Sequence, residues 1–118
     1  MLKKEYRLKK NYQFNYVYRV GQAVHGRYLL VLYTKSKNKN VKIGIAVTKK
    51  VGKAVVRNRA RRLIREAVTP FAQNLNPNFN LVIIAKQSIN NKKMNVVKQD
   101  LEIVLKKANL LWKNSLNL

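Results

Sequence analysis

Cysteine is absent from this chain, and only one histidine, one tryptophan, two prolines and four glycines occur in its 118 residues. Without thiols it forms neither disulfides nor thiolate metal sites. Acids are nearly as scarce: Glu5, Glu66, Asp100 and Glu102 are the whole set. Four carboxylates scattered singly and a lone His25 assemble no acid/base pair and no metal-ligand cluster, so no catalytic residue and no metal site is assigned to the chain. Long apolar runs are also missing. The longest uncharged ones, Tyr28–Tyr33 and Leu81–Ala85, fall far short of the roughly 20 residues that span a bilayer. The basic N-terminal residues Lys3, Lys4, Arg7, Lys9 and Lys10 lead into no signal-peptide core, and a cytoplasmic protein without a membrane partner is expected.

What the chain has is positive charge. Its 26 Lys and Arg residues against four acids leave a net charge of +22, when solubility needs only about 2–8 in a small domain. A phosphate backbone explains the excess, because each neutralised phosphate releases condensed counterions. A membrane surface explains it less well, since the cations are spread along the chain and not gathered on one amphipathic helix. With 47% hydrophobic residues the chain still has the means to build a core. Its length and even composition, with neither repeats nor linkers, point to a single domain over residues 1–118.

Hydrophobic periodicity gives the elements. Tyr28–Thr34 and Val41–Thr48 read as the strands of a hairpin around the polar connection at 35–40, and Phe79–Lys86 reads as a further strand after Asn76-Pro77-Asn78. In the second run Val41, Ile43, Ile45 and Val47 alternate with Lys42, Gly44, Ala46 and Thr48, one face for burial and an open one of mostly small residues. Val56, Ala60, Leu63, Ile64, Ala67, Val68 and Phe71 form the stripe of a helix that Pro70 ends or kinks near Val68. Met94, Val97, Leu101, Val104, Leu105, Ala108 and Leu111 mark a last helix. Both stripes need a sheet to bury against, which makes an α+β sandwich. The N-terminal segment reads two ways. Tyr12, Phe14, Tyr16 and Tyr18 alternate as in a strand, whereas a helix gathers Phe14, Val17, Tyr18 and Gly21 on one face, turns Tyr12 and Tyr16 to the other, and puts Gly21 at a left-handed cap.

The densest chemistry lies at residues 49–65, where eight of 17 positions are cationic and none is acidic. On a helix Arg57, Arg61 and Arg65 make one row and Asn58, Arg62 and Arg65 another. Five arginines in nine residues suggest ordered phosphate contacts, since each planar fork can donate two hydrogen bonds. Gly52 permits a tight turn just before them.

These residues, together with Arg7-Leu8-Lys9-Lys10, Phe14 with Tyr18 and Gly21, Arg27, Leu32-Tyr33-Thr34 and Gly44-Ile45-Ala46-Val47-Thr48-Lys49-Lys50, resemble the protein subunit of bacterial ribonuclease P. The Arg57-Asn58-Arg59 signature, followed by Arg62 and Arg65, is the most specific part. The resemblance runs in order over almost the whole chain. It implies a two-layer α-β-β-β-α-β-α sandwich with a four-stranded sheet, similar to a domain of a ribosomal protein, and a left-handed βαβ crossover against the usual rule. It also implies that the N-terminal segment is a helix. By the same resemblance Lys49, Lys50, Lys53, Arg57, Asn58, Arg59, Arg61, Arg62 and Arg65 contact the catalytic RNA. Phe14, Tyr18 and Tyr33 line a cleft for the single-stranded 5′ leader of precursor tRNA, where aromatic faces stack on unpaired bases of any sequence. Cleavage falls to the RNA, with Mg²⁺ bound mainly by that RNA, and neither an organic cofactor nor an obligate protein partner is implied.

Some positions depart from the family pattern. Lys53 stands where Asn is common, Ala46 and Thr48 where Ser is frequent, and Gly26 where Asn often precedes the arginine. Plainer roles stand beside the functional ones: Phe14, Tyr18 and Tyr33 as core, His25 as a loop residue, Trp112 as a packing anchor, and the lysines at 35–42 and 92–93 as general phosphate attraction. A structural ribosomal protein is the competing function.

Overall fold

A computed structural model describes residues 2–111, and Trp112 lies outside them. The elements are α1 (Asn11–Val20), β1 (Gln22–His25), β2 (Leu29–Lys35), β3 (Lys42–Ala46), α2 (Ala54–Val68), β4 (Phe79–Ala85) and α3 (Met94–Lys107). Their order is the expected α-β-β-β-α-β-α.

The strands lie in the order β1-β2-β4-β3. β1 with β2 and β2 with β4 are antiparallel, while β3 runs parallel to β4. The runs on either side of 35–40 therefore do not form a hairpin with each other. β4 is inserted between them, because its Asn80–Ile83 stretch is buried on both faces and a strand of that kind takes a central seat. The true hairpin joins β1 to β2, where the Gly26 N–H donates to the Leu29 carbonyl at 2.8 Å. Asp100, in the middle of α3 and only 7% exposed, clamps that turn: its carboxylate oxygens accept the Arg27 and Tyr28 N–H groups, each at 2.9 Å. Gly26 is required there, since a Cβ would come within 2.6 Å of the carboxylate.

The period of two divides the side chains between two faces. Leu29, Val31, Ile43, Leu81 and Ile83 face the buried stripes of α2 (Ala60, Ile64, Ala67, Val68) and α3 (Val97, Leu101, Val104, Leu105), as their spacing predicts. α2 ends at Val68, and Pro70 opens a 3₁₀ turn at Thr69–Asn74. α1 lies across the opposite face, where Val17, Leu8 and Val82 are buried with Phe14, Leu32, Ala46 and Ile84 around them. Gly21 ends α1 in extended backbone (φ −70°, ψ 154°) and not in the left-handed cap expected of it. It is needed for space, because a Cβ would lie 2.5 Å from the Val17 carbonyl oxygen. The segment before α1 wraps the free edge of β3. Leu2 is buried on the α2/α3 side and Leu8 on the α1 side, and the Leu8 N–H donates to the Ile43 carbonyl at 2.9 Å. An edge covered in this way cannot template aggregation.

Candidate nucleic-acid interface

α2 carries the charge ridge. The turn before it is closed by the Val51 N–H on the Thr48 carbonyl (3.0 Å) and the Gly52 N–H on the Lys49 carbonyl (3.2 Å). Gly52 has φ +153°, and a side chain there would meet Val56 at 2.9 Å. This turn leaves Lys49, Lys50 and Lys53 exposed. Because the apolar stripe of α2 faces the sheet, its cations face outward. Asn58, Arg59 and Arg62 are exposed, and Arg57, Arg61 and Arg65 run half-buried along one flank. Arg61 donates to the Asn58 side-chain oxygen at 2.9 Å, which fixes the fork. Arg57 Nε is buried without a partner among the described residues. Arg59, in neither row, lines a cavity with Val55, Leu63, Ile89 and Lys92. No acid forms an ion pair with this ridge among the described residues, although Glu66 is on the same helix. The one ion pair among the described residues is Lys106 with Glu102, 3.0 Å apart on α3.

The aromatic residues are not gathered as the resemblance implies. Phe14 lies on β3 at Gly44, where an added Cβ would fall 2.4 Å from the ring. Gly44 is thus covered, and the small-residue face of β3 is open only beyond it, at half-buried Ala46 and exposed Thr48. Tyr18, one turn on, is 46% exposed with its ring 6.3 Å from that of Phe14. Partial burial pushes its phenol above the ordinary value, so the ring stays neutral at physiological pH. Beside them the register aligns Leu30, Ile84 and Ala46, all half-buried, across three strands. Tyr33 is on the other face. Its register partner is Leu81, so the alternation turns it toward the α2/α3 layer, where it meets Phe79 edge-on at 5.9 Å and donates to the Gln22 side-chain oxygen at 2.9 Å. The α1 side of the sheet thus holds Phe14 and Tyr18 but not Tyr33. His25 ends β1 opposite Leu30, in a strand and not a loop. Two of the lysines read as general attraction have local work: Lys42 donates to the Glu5 carbonyl at 2.6 Å, and Lys92 sits 5.5 Å over the Tyr28 ring.

A small α+β domain with an unopposed arginine ridge on one helix and exposed aromatic residues across the sheet belongs to the class of proteins that dock on structured RNA. The family model for ribonuclease P matches residues 2–109, and the chain belongs to that family. It is 34% identical to the ribonuclease P protein component of Oceanobacillus iheyensis over 117 residues, covering 98% of this chain and 96% of the relative. A Staphylococcus aureus RNase P protein mutant shares the fold with a TM-score of 0.82 and 33% identity, over 92% of each chain. The RNase P protein of Thermotoga maritima follows at 0.77 and 26%, over 86% of this chain and 96% of its own. The protein is accordingly a subunit of a tRNA-processing ribonuclease, and a ribosomal role is not favoured.

Proposed function

We propose that α2 and the turn before it dock the chain on the catalytic RNA of ribonuclease P, and that the α1 side of the sheet holds the 5′ leader of precursor tRNA. The observation that carries this reading is the division of labour across the sheet: the cationic ridge stands on one face, and Phe14 with Tyr18 on the other. Arginine forks and the orphan Arg57 Nε suit a fixed phosphate array. A half-exposed, neutral tyrosine suits bases of varying identity, because stacking needs only a π-face.

The protein then raises substrate affinity, and the RNA performs cleavage with Mg²⁺. The chain's own carboxylates do not converge among the described residues. Both Asp100 oxygens already accept backbone N–H groups, and Glu102 is paired with Lys106.

The test is reconstitution from purified parts. Protein and Mg²⁺ alone should leave precursor tRNA intact, and adding the catalytic RNA should restore removal of the leader. Tyr18→Ala, at a half-exposed position, should raise KM for leader-bearing substrate by roughly 5- to 100-fold, the equivalent of one lost stacking contact, with mature tRNA bound as before. Cleavage by the protein alone, or an equal loss for both RNAs, would refute the assignment.

A further inference from the structure

α1 has a second flank that leader binding beside Phe14 and Tyr18 does not use. Tyr12 and Tyr16, one turn apart, are 69% and 48% exposed, among the largest apolar surfaces the fold leaves in water. The Arg19 guanidinium sits 5.7 Å over the Tyr16 ring, where it can stack and meet a phosphate together. These three side chains form one wall of a groove whose other side is Ser36 and Asn80. Asn80 is 8% exposed, and its Oδ1 is taken by Asn38 at 2.8 Å. No described residue accepts from its Nδ2, yet that atom is not among the sealed, unpartnered ones. A donor held at the floor of an aromatic groove is what an unpaired base with a carbonyl edge requires.

The groove also shares a lining residue, Gln13, with a second hollow at the start of α1. On the α1 side of β3, Lys42 lies two residues before Gly44, the residue under Phe14. Lys42 belongs to a mainly basic hollow with Lys4, Glu5, Arg7, Lys9, Lys10 and Gln13, and Gln13 lines the tyrosine groove as well. A strand laid from Phe14 past these cations and round the start of α1 would reach Tyr12 and Tyr16. The arginine ridge lies across the sheet, which leaves this path to the substrate and not to the catalytic RNA.

Resting on the proposed leader-binding role, we propose that the 5′-distal nucleotides of a long leader wrap around the N-terminal end of α1 and stack in the groove of Tyr12, Tyr16, Arg19 and Asn80. The base lies against the tyrosine rings, Asn80 Nδ2 donates to its carbonyl edge, and Arg19 meets a flanking phosphate. The site extends the reach of the protein along the leader, and the Asn80 contact favours a base that carries a carbonyl over adenine.

The test compares precursor tRNAs carrying leaders of about 4 and about 16 nucleotides, the range one small single-strand-binding domain covers, on the reconstituted protein–RNA holoenzyme. In wild type the long leader should bind more tightly. The double variant Tyr12→Ala/Tyr16→Ala should weaken binding of the long-leader substrate by about 5- to 100-fold and leave both the short-leader substrate and affinity for the catalytic RNA unchanged. Tyr12→Phe/Tyr16→Phe should restore the long-leader affinity, because the stacking faces return. Equal affinity of the alanine variant and wild type for the long leader overturns the proposal. So does an equal loss on both leaders, or a loss confined to the catalytic RNA. If wild type does not discriminate leader-bearing from mature tRNA at all, leader binding itself fails; if it does, and only the tyrosine variants are silent, this extension alone fails.

Discussion

At the residue scale the least legible position is Asp100. In the sequence it is one of four acids; in the fold it ties α3 to the β1–β2 turn through two backbone donors more than seventy residues away. No local pattern marks such a contact, although an acid beside Leu101 within an apolar stripe, in a chain so poor in acids, is its only trace. Asp100→Asn is nearly isosteric but exchanges one acceptor for a donor, which then faces a backbone N–H. The exchange should cost about 1–3 kcal/mol of stability, the range for an unsatisfied buried polar group, read as a lower urea midpoint at unchanged slope. An unaltered midpoint would mean that the turn is held without it. Tyr33 teaches a related lesson. Its identity suits a stacking residue, yet the strand period alone decides which face it occupies, and one residue's difference in register moves it across the sheet.

At the element scale, helices were more legible than strand partners. The stripes of α2 and α3 are local, so residues such as Ala60, Ile64, Leu101 and Leu105 declare their burial through spacing alone. Pairing is not local. Nothing in 28–48 shows that β4, more than thirty residues on, separates β2 from β3, and β1 was visible only through the family resemblance because Gln22–His25 is short and mostly exposed. The cationic face of α2 follows from its apolar one by exclusion, which makes the ridge the best-read part of the candidate interface. The ridge is also a set of countable phosphate contacts. Arg62 is exposed on it without an acidic partner, so Arg62→Ala should weaken binding to the catalytic RNA and flatten the log Kd against log[salt] line by about 0.7–0.9, one phosphate's worth. A salt titration of wild type and variant checks this. A parallel pair of lines would remove Arg62 from the contact set, whereas the fold, whose core Arg62 does not enter, should melt no lower than wild type.

At the scale of the whole molecule, charge governs stability as well as binding. The net charge of +22 is compressed on folding into a domain with a Cα radius of gyration of 13.3 Å, with one surface ion pair among the described residues to offset it. Like charges brought together destabilise the compact state relative to the extended chain, so the free protein forfeits part of what its core supplies. Two remedies act differently. Simple salt screens all charges within a Debye length of about 8–10 Å at 0.1–0.15 M, while a multivalent anion bound by the folded state alone adds RT ln(1 + [L]/Kd). The arginine ridge and the Lys42 hollow assemble only in the folded chain, hence the second remedy should dominate. Pyrophosphate at low millimolar concentration, too dilute to act by preferential exclusion, should raise Tm by about 4–8 °C for each 1 kcal/mol of linkage, and more than sodium chloride at matched ionic strength. The rise should grow with the logarithm of anion concentration and shrink when Arg59 and Arg62 are both replaced by alanine. If chloride at equal ionic strength does as much, the repulsion is general and the ridge is no anion site in the free protein. The partner's phosphates would then be the first to order those side chains, and binding would carry an ordering cost that a preformed ridge avoids.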